Sequence, residues 1–375
     1  MLALSRALER GAVLAPPQSV LARAAGRAWG DLLGRTVVRR LAWPAGVRLI
    51  AVGGATLGGS GKTPLAIECA RALGALGVRV ALVGHAYRAS PGRARIVTGS
   101  DRLDLVGDEA LLAARDLEQA AAGAGVAAGA VVVGPTRASA LELAARCAPV
   151  VILDGVAQTA PVRASLALLA VDADEPWGHA GNVPPWGDLR APPGVLRGVV
   201  DRVVPVGPGA GASRESDGAF AEAETTGAWL GRQHLDWESL RSRRVGLVCA
   251  LGRPDRVVRL LARNGVVPEA VVAGRDHGPL DGGGVHGGWR AFNRLAPRVD
   301  VWLATPKCAL HACTEGTAKT GAFRSVPLAT LAYRLRLSPG LLAALTAAAQ
   351  GNTFEMRKLR DAAGASDAPS AEGRG

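Results

Sequence analysis

The stretch from Arg48 to Pro64, RLIAVGGATLGGSGKTP, limits what this chain can fold into more than any other. An apolar run from Leu49 to Val52 enters a turn holding Gly58, Gly59 and Gly61, and Lys62 and Thr63 then open a segment with helical periodicity at Leu65, Ile67, Ala70 and Leu73. That order is strand, loop, helix, the unit of an α/β fold. Glycines let consecutive backbone N–H groups point into one concavity, and the helix N-terminus adds a partial positive charge. Lys62 can reach terminal phosphates, and the Thr63 hydroxyl can ligate Mg²⁺. Thr56, Gly58, Gly59, Ser60, Gly61, Lys62 and Thr63 are therefore the expected cradle for the phosphates of ATP. The familiar GxxxxGK[ST] spacing asks for glycine where this chain has Thr56. A glycine-rich turn also arises by composition in a chain with 49 glycines, but the lysine does not, because Lys62, Lys307, Lys319 and Lys358 are the only lysines among 44 basic residues.

At 375 residues the chain has room for two α/β units with separate cores. The expected architecture is a P-loop NTPase-like three-layer αβα domain over residues 45–206 and a smaller α/β domain over 243–350. Residues 207–242, which begin with a Gly, Ala and Ser-rich run, read as a flexible connection, and the tail from 351, disordered from about 362, completes the chain. Five cysteines, odd in number and without CxxC spacing, point to a reducing compartment and away from a cysteine metal centre.

Net charge is +12 and unevenly spread. Through residue 48 eight arginines face only Glu9 and Asp31. Residues 1–44 hold two arginine-studded apolar stretches, neither with the 18 or so uncharged residues that a spanning helix needs. Glu9 and Arg10 also interrupt any signal-peptide core. Val20 to Leu33 fits an amphipathic helix with Leu21, Ala25, Trp29, Leu32 and Leu33 to one side. Such a helix either lies in a membrane interface, its arginines drawn to anionic lipids, or packs on the domain with them solvated. The arginine excess lacks the aromatic interleaving of a nucleic-acid surface, so no nucleic-acid partner is expected.

Further along, Arg79 to Val83 reads as a second strand and Gly84 to Arg88 as the turn that leaves it. Gly107-Asp108-Glu109 leads into a helix, where the two acids suit the first turn of a helix dipole. Pro149 to Asp154 is an apolar strand ending in an acid, which is what a Walker B element looks like, with Asp154 placed to hold Mg²⁺. Strands are also expected at Arg244 to Val248, Ala270 to Ala273 and Val301 to Thr305, with a helix from Asp255 to Asn264.

Taken in order, these residues resemble the tetraacyldisaccharide 4′-kinase (lipid A 4′-kinase) family. Its opening VGNLTVGGTGKTP is similar to Val52 to Pro64 and carries threonine at the position of Thr56. Its GDEP resembles Gly107 to Ala110, its LLPAGPLREP resembles Val183 to Pro192, its AGIGNPERF resembles Cys249 to Val257, and its F-x-DH resembles Ala273 to His277. Departures stand beside these. SRGYG becomes Gly84-His85-Ala86-Tyr87-Arg88, DDGFQH becomes Leu153-Asp154-Gly155-Val156-Ala157-Gln158, and TEKDA becomes Thr305-Pro306-Lys307-Cys308-Ala309. The chain thus reads as a divergent member.

The resemblance implies transfer of the ATP γ-phosphate to the 4′-hydroxyl of a lipid A disaccharide 1-phosphate at the cytoplasmic face of the bacterial inner membrane. It implies Lys62 on the phosphates, Mg²⁺ held by Thr63 with Asp154 or Glu109, Asp108 as proton acceptor with His277 orienting or relaying, and Arg190 and Tyr87 toward the substrate. Another P-loop ATPase or GTPase of accessory type, and a membrane-bound nucleotide binder that has lost turnover, are the alternatives.

Overall fold

The strand β1 (Arg48–Gly54) lies at the centre of a mixed sheet, with Leu49 to Val52 fully buried. The computed structural model describes residues 28–30, 32–87, 89–124, 129–178, 181–274, 294–312 and 326–352. After β1 come α1 (Lys62–Ala75), β2 (Val80–Val83), α2 (Asp108–Ala124), β3 (Ala130–Val133), β4 (Val150–Asp154), β5 (Leu166–Asp172) and β6 (Arg202–Gly207). Then follow β7 (Ala221–Leu230), β8 (Val245–Cys249), α3 (Asp255–Arg263), β9 (Ala270–Ala273), β10 (Val301–Ala304), α4 (Pro306–Ala312), β11 (Leu328–Leu337) and α5 (Pro339–Gln350).

Through the sheet the order is β9-β8-β10-β11-β7-β6-β5-β1-β4-β2-β3, with Arg95–Val97 at the far edge. β1 runs parallel to β4 on one side and β5 on the other, in a register that sets Val52 beside Asp154 and Leu168. Parallel strands in register end together, so the loop after β1 and the acid at the end of β4 emerge at one edge. Apolar runs in these strands are continuous rather than alternating because helices cover both faces. Leu65, Ala66, Cys69, Ala70 and Leu73 of α1 are buried against one face, while Ala140, Leu141 and Ala144 of the helix Arg137–Cys147 cover the other.

A second core gathers around Leu247, Val248, Leu261, Trp302 and Leu303. Trp302 is fully buried, and Gly246 on the neighbouring strand lies against its ring, where a Cβ would collide. The two halves belong to one sheet and meet where β6 and β7 pair through only two residues each, Val206 with Ala221 and Gly207 with Glu222.

Two expectations differ from what is seen. Residues 207–242, expected as a flexible connection, contain β7, the strand Gln233–Leu235 and the short helix Trp237–Arg241. β7 is held by a long antiparallel ladder with β11, in which Glu222 faces Arg336 and Glu224 faces Arg334. α5, assigned to the smaller domain, turns its buried Leu341, Ala344, Leu345 and Ala348 into the first core beside α1. Most of the leading amphipathic helix, and the whole tail from 353, lie outside the described residues. Residues 28–30 and 32–34 are helical, and there Trp29 donates its indole N–H to the Pro184 carbonyl at 2.7 Å while Leu32 stays exposed. No helix among the described residues is long and apolar enough to cross a membrane.

Candidate active site at the carboxyl edge of the sheet

The turn after β1 is shaped by its glycines and tied down by its neighbours. Gly59 and Gly61 have φ of 73° and 81°, left-handed values that a residue with a Cβ adopts only under strain. Thr56 is almost fully buried, and its hydroxyl donates to the Gly58 carbonyl at 2.6 Å. The main chain at Leu57 bonds Asp188 across the loop, and Arg190 Nε donates to the Thr56 carbonyl at 2.9 Å. Gly61 precedes α1 with no side-chain cap and no acid in the first turn, so the first-turn N–H groups keep their affinity for an anion.

Lys62 and Thr63 meet the acids from the next elements. Thr63 Oγ1 donates to Asp154 Oδ2 at 2.7 Å, and Lys62 Nζ donates to Glu109 Oε1 at 3.2 Å. Burial works against the charge of Lys62, but the Glu109 and Asp154 carboxylates outweigh it and hold the ammonium above its ordinary value. Burial pushes the Asp154 carboxyl upward, with Lys62 pulling the other way. Asp154 Oδ1 is buried with no hydrogen-bond partner among the described residues.

Such an orphaned carboxylate oxygen beside a threonine hydroxyl is a hard, oxygen-only donor pair that fits Mg²⁺, which takes one or two protein oxygens and completes its shell with water and phosphate. Glu109, the third expected ligand, is spoken for by Lys62 and lies 4.0 Å from Lys307 Nζ. Among the described residues no cluster of three or more His, Cys, Asp or Glu could hold a metal by itself.

Gly107, at φ 84°, lets the chain turn sharply into α2 with Asp108 first in the helix. Asp108 is buried; its Oδ1 accepts the Glu109 N–H at 2.8 Å, and its Oδ2 lies 2.9 Å from His311 Nε2 and 3.7 Å from Lys307 Nζ. His277, expected beside Asp108, lies outside the described residues. Tyr87, 37% exposed in the turn after β2, sets its ring 5.9 Å from that of His85. Arg190 thus grips the loop itself, while Tyr87 faces solvent at the same edge.

Three basic groups were not singled out from sequence. Arg137, first residue of its helix, reaches Gly155, where a Cβ would stand 3.1 Å from Arg137 Nη2 and 4.0 Å from Lys62 Cε. Burial, with Arg39 next, holds Arg137 below its ordinary value, and burial with Arg137 does the same to Arg190. Guanidiniums desolvated and crowded together in this way gain from an incoming anion. From the other half, Arg256 of α3 donates to the Gly59 carbonyl and pairs with Asp172, and Arg253 packs over Gly59 while pairing with Glu175. A cavity of about 310 Å³ lies between the two halves, lined by Lys62, Asp172, Arg256, Lys307 and Tyr333 among others. Nothing local marks Arg137 or Arg253, whereas the i, i+4 spacing of Lys307 and His311 was a readable signal that both share one helix face.

This fold and this site define an α/β protein with an anion cradle at the carboxyl edge of its parallel strands. The family model described as tetraacyldisaccharide-1-P 4′-kinase matches residues 13–349, and the chain belongs to that family. A tetraacyldisaccharide 4′-kinase of Methylobacterium sp. (strain 4-46) is 32% identical over 286 residues, 74% of this chain and 80% of the relative. One from Methylorubrum extorquens (strain PA1) is 33% identical over 300 residues, covering 77% and 84%. The crystal structure described as the "apo" form of LpxK from Aquifex aeolicus in complex with ATP superposes with a TM-score of 0.56 at 18% identity, over 86% of this chain and 94% of that one, which establishes a shared fold.

Proposed function

We propose that this protein is an ATP-dependent phosphotransferase that moves the γ-phosphate of ATP to the 4′-hydroxyl of a lipid A disaccharide 1-phosphate precursor, a step of lipid A biosynthesis. The observation that carries the reading is the meeting of Lys62, Thr63 and Asp154 at one glycine loop in a chain of this family. The arrangement suits a P-loop domain in which the N–H groups from Gly58 to Thr63 and the Lys62 ammonium neutralise the phosphates. Thr63 with Asp154, or with Glu109 in its place, would hold Mg²⁺, which would supply neutralisation of the phosphate charge. Arg190 and Arg137 add positive charge beside the transferring group, and Tyr87 stands toward the acceptor.

In the transfer, the acceptor O–H bond breaks as its oxygen bonds phosphorus, the bond from phosphorus to ADP breaks, and the proton goes to Asp108. His277 would relay that proton outward. The acyl chains of such an acceptor stay in a bilayer, and the arginine-rich leading segment suits the anionic lipids of the cytoplasmic face of the inner membrane, with the protein peripheral. The test is to incubate the full chain with Mg²⁺-ATP and tetraacyldisaccharide 1-phosphate and to look for the bisphosphate by mass spectrometry. Product from the parent protein and none from Lys62→Met supports the reading; no product from a folded, ATP-binding parent refutes it.

A further inference from the structure

We propose that His311 is the positioning residue of this site, the group that holds the Asp108 carboxylate in orientation for proton transfer. The inference rests on the reading of Asp108 as proton acceptor and extends it to a residue that no motif singled out. Asp108 and His311 are 3% and 6% exposed, and the ring nitrogen Nε2 lies 2.9 Å from Oδ2. The proton-acceptor reading has Asp108 ionised, and an ionised carboxylate is acceptor-only, so in that reading Nε2 carries the hydrogen and His311 donates.

The two residues come from different halves of the molecule. Asp108 opens α2, on the side of the glycine loop, and His311 sits in α4, which follows β10 of the second core. Lys307, one turn earlier on α4, lies 3.7 Å from the same Oδ2. One helix of the second half therefore delivers both an imidazole N–H and an ammonium to the carboxylate, and the adjoining Glu109 leads to Lys62 on the loop.

A buried carboxylate is oriented by its donors. With Oδ1 taken by the Glu109 N–H of its own helix, the rotation about its side-chain torsion is fixed by what binds Oδ2. Loss of the His311 N–H takes a 2.9 Å partner from that oxygen, and the carboxylate turns toward Lys307, 3.7 Å away. That turn removes it from the acceptor hydroxyl without touching the nucleotide. Because Nε2 already bears a hydrogen, His311 holds the acid and does not itself receive the substrate proton there. Orientation is thereby assigned to His311, and the relay proposed for His277 is a separate matter.

The test is a double-mutant cycle on the full chain, with kcat and both KM values measured using Mg²⁺-ATP and tetraacyldisaccharide 1-phosphate. His311→Leu, close in volume but without a donor, should lower kcat about 10–100-fold and leave KM for ATP within twofold. His311→Gln, whose amide keeps an N–H, should recover most of that loss, and added imidazole should partly rescue His311→Ala. In an Asp108→Asn background the His311→Leu change should cost nothing further. If His311→Leu does not fold, His311→Ala with and without imidazole carries the comparison. The inference is overturned if His311→Leu turns over within threefold of the parent, if imidazole and Gln fail alike, or if its loss adds in full to that of Asp108→Asn. Full activity in Asp108→Asn itself would instead overturn the proton-acceptor reading.

Discussion

Thr63 gives its hydroxyl hydrogen to one oxygen of Asp154, at 2.7 Å, and the other oxygen of that carboxylate is buried without a donor among the described residues. The glycine turn fixes the first partner at a helix start and the register of two parallel strands fixes the second, so the pair is an outcome of the sheet as much as of either motif. A carboxylate left half-satisfied in a dry site costs on the order of 1–3 kcal/mol unless something takes it up. Asp154→Asn and Thr63→Ala should therefore each raise the Mg²⁺ concentration needed for half-maximal activity about tenfold or more. Thr63→Ser, which keeps the hydroxyl, should not. Mg²⁺ titrations of fluorescent-ATP binding measure the same shift without turnover, and an unchanged Mg²⁺ dependence in Asp154→Asn would remove the carboxylate from the metal.

The Gly59 carbonyl takes its hydrogen bond from Arg256, a residue nearly two hundred positions away on α3. Losing a charged donor of this kind costs about 1.5–3 kcal/mol. Arg256→Ala should weaken ATP binding about tenfold and also lower the melting temperature, because buried Asp172 loses its partner. Gly59→Ala should do worse, because φ there is 73° and a Cβ would press on Arg253 at 2.8 Å. Calorimetric titration with a non-hydrolysable ATP analogue decides both, and wild-type affinity in Gly59→Ala would contradict the account of the loop.

Glu68, on α1 at the cavity wall, has its carboxyl pushed up to about 7 by burial, although Arg71 pulls it down. The folded form therefore keeps a proton between about pH 4.5 and 7 that the unfolded chain releases. Stability from this group is present below that window and is lost as pH rises through it. Glu68→Gln cannot ionise, so relative to the parent it should gain about 1–2 kcal/mol on going from pH 4.5 to pH 8, after allowance for solvent screening. Urea melts at the two pH values measure it. A difference between variant and parent that does not move with pH would show that Arg71 keeps the carboxylate charged throughout.

The eight arginines before residue 49 predict a salt-sensitive attachment to lipid. The full chain should sediment with vesicles of phosphatidylglycerol and phosphatidylethanolamine at low ionic strength and be released as salt is raised. Replacing Arg6, Arg10, Arg23 and Arg27 by Gln should cut binding about tenfold or more. Equal binding to neutral vesicles would assign the attachment to apolar contact instead.

Much of the site near the glycine loop was legible because its information is local. A lysine at a strand-to-helix turn, an acid closing an apolar strand, and glycine before Asp108 each announce themselves within a few residues. Arg137, Arg253 and Arg256 do their work across long sequence distances, and no periodicity marks a side chain that arrives from elsewhere. The misreading of 207–242 has the same origin. The run AEAETTGAWL looks unstructured alone, and its strand character lies in the facing LATLAYRLRL, where Arg336 Nε reaches Glu224 Oε1 at 2.6 Å. Likewise α5 carries apolar residues that fit either core, and only the path of β11 decides which one receives them.

The narrow seam between β6 and β7 has a mechanical meaning. A sheet transmits torque through the ladders that stitch its strands, and here the stitching thins to two residue pairs, one of which contains Gly207 at φ 143°. Among the described residues this ladder has fewer residue pairs to resist twist than any other in the sheet. The cradle is on one side of it, and Arg256 and His311 are on the other. The pairing that links the two sides is thus thin in the sheet itself, and the core that Leu310, Leu335 and Leu341 share with Leu65 and Leu73 carries the rest of the connection.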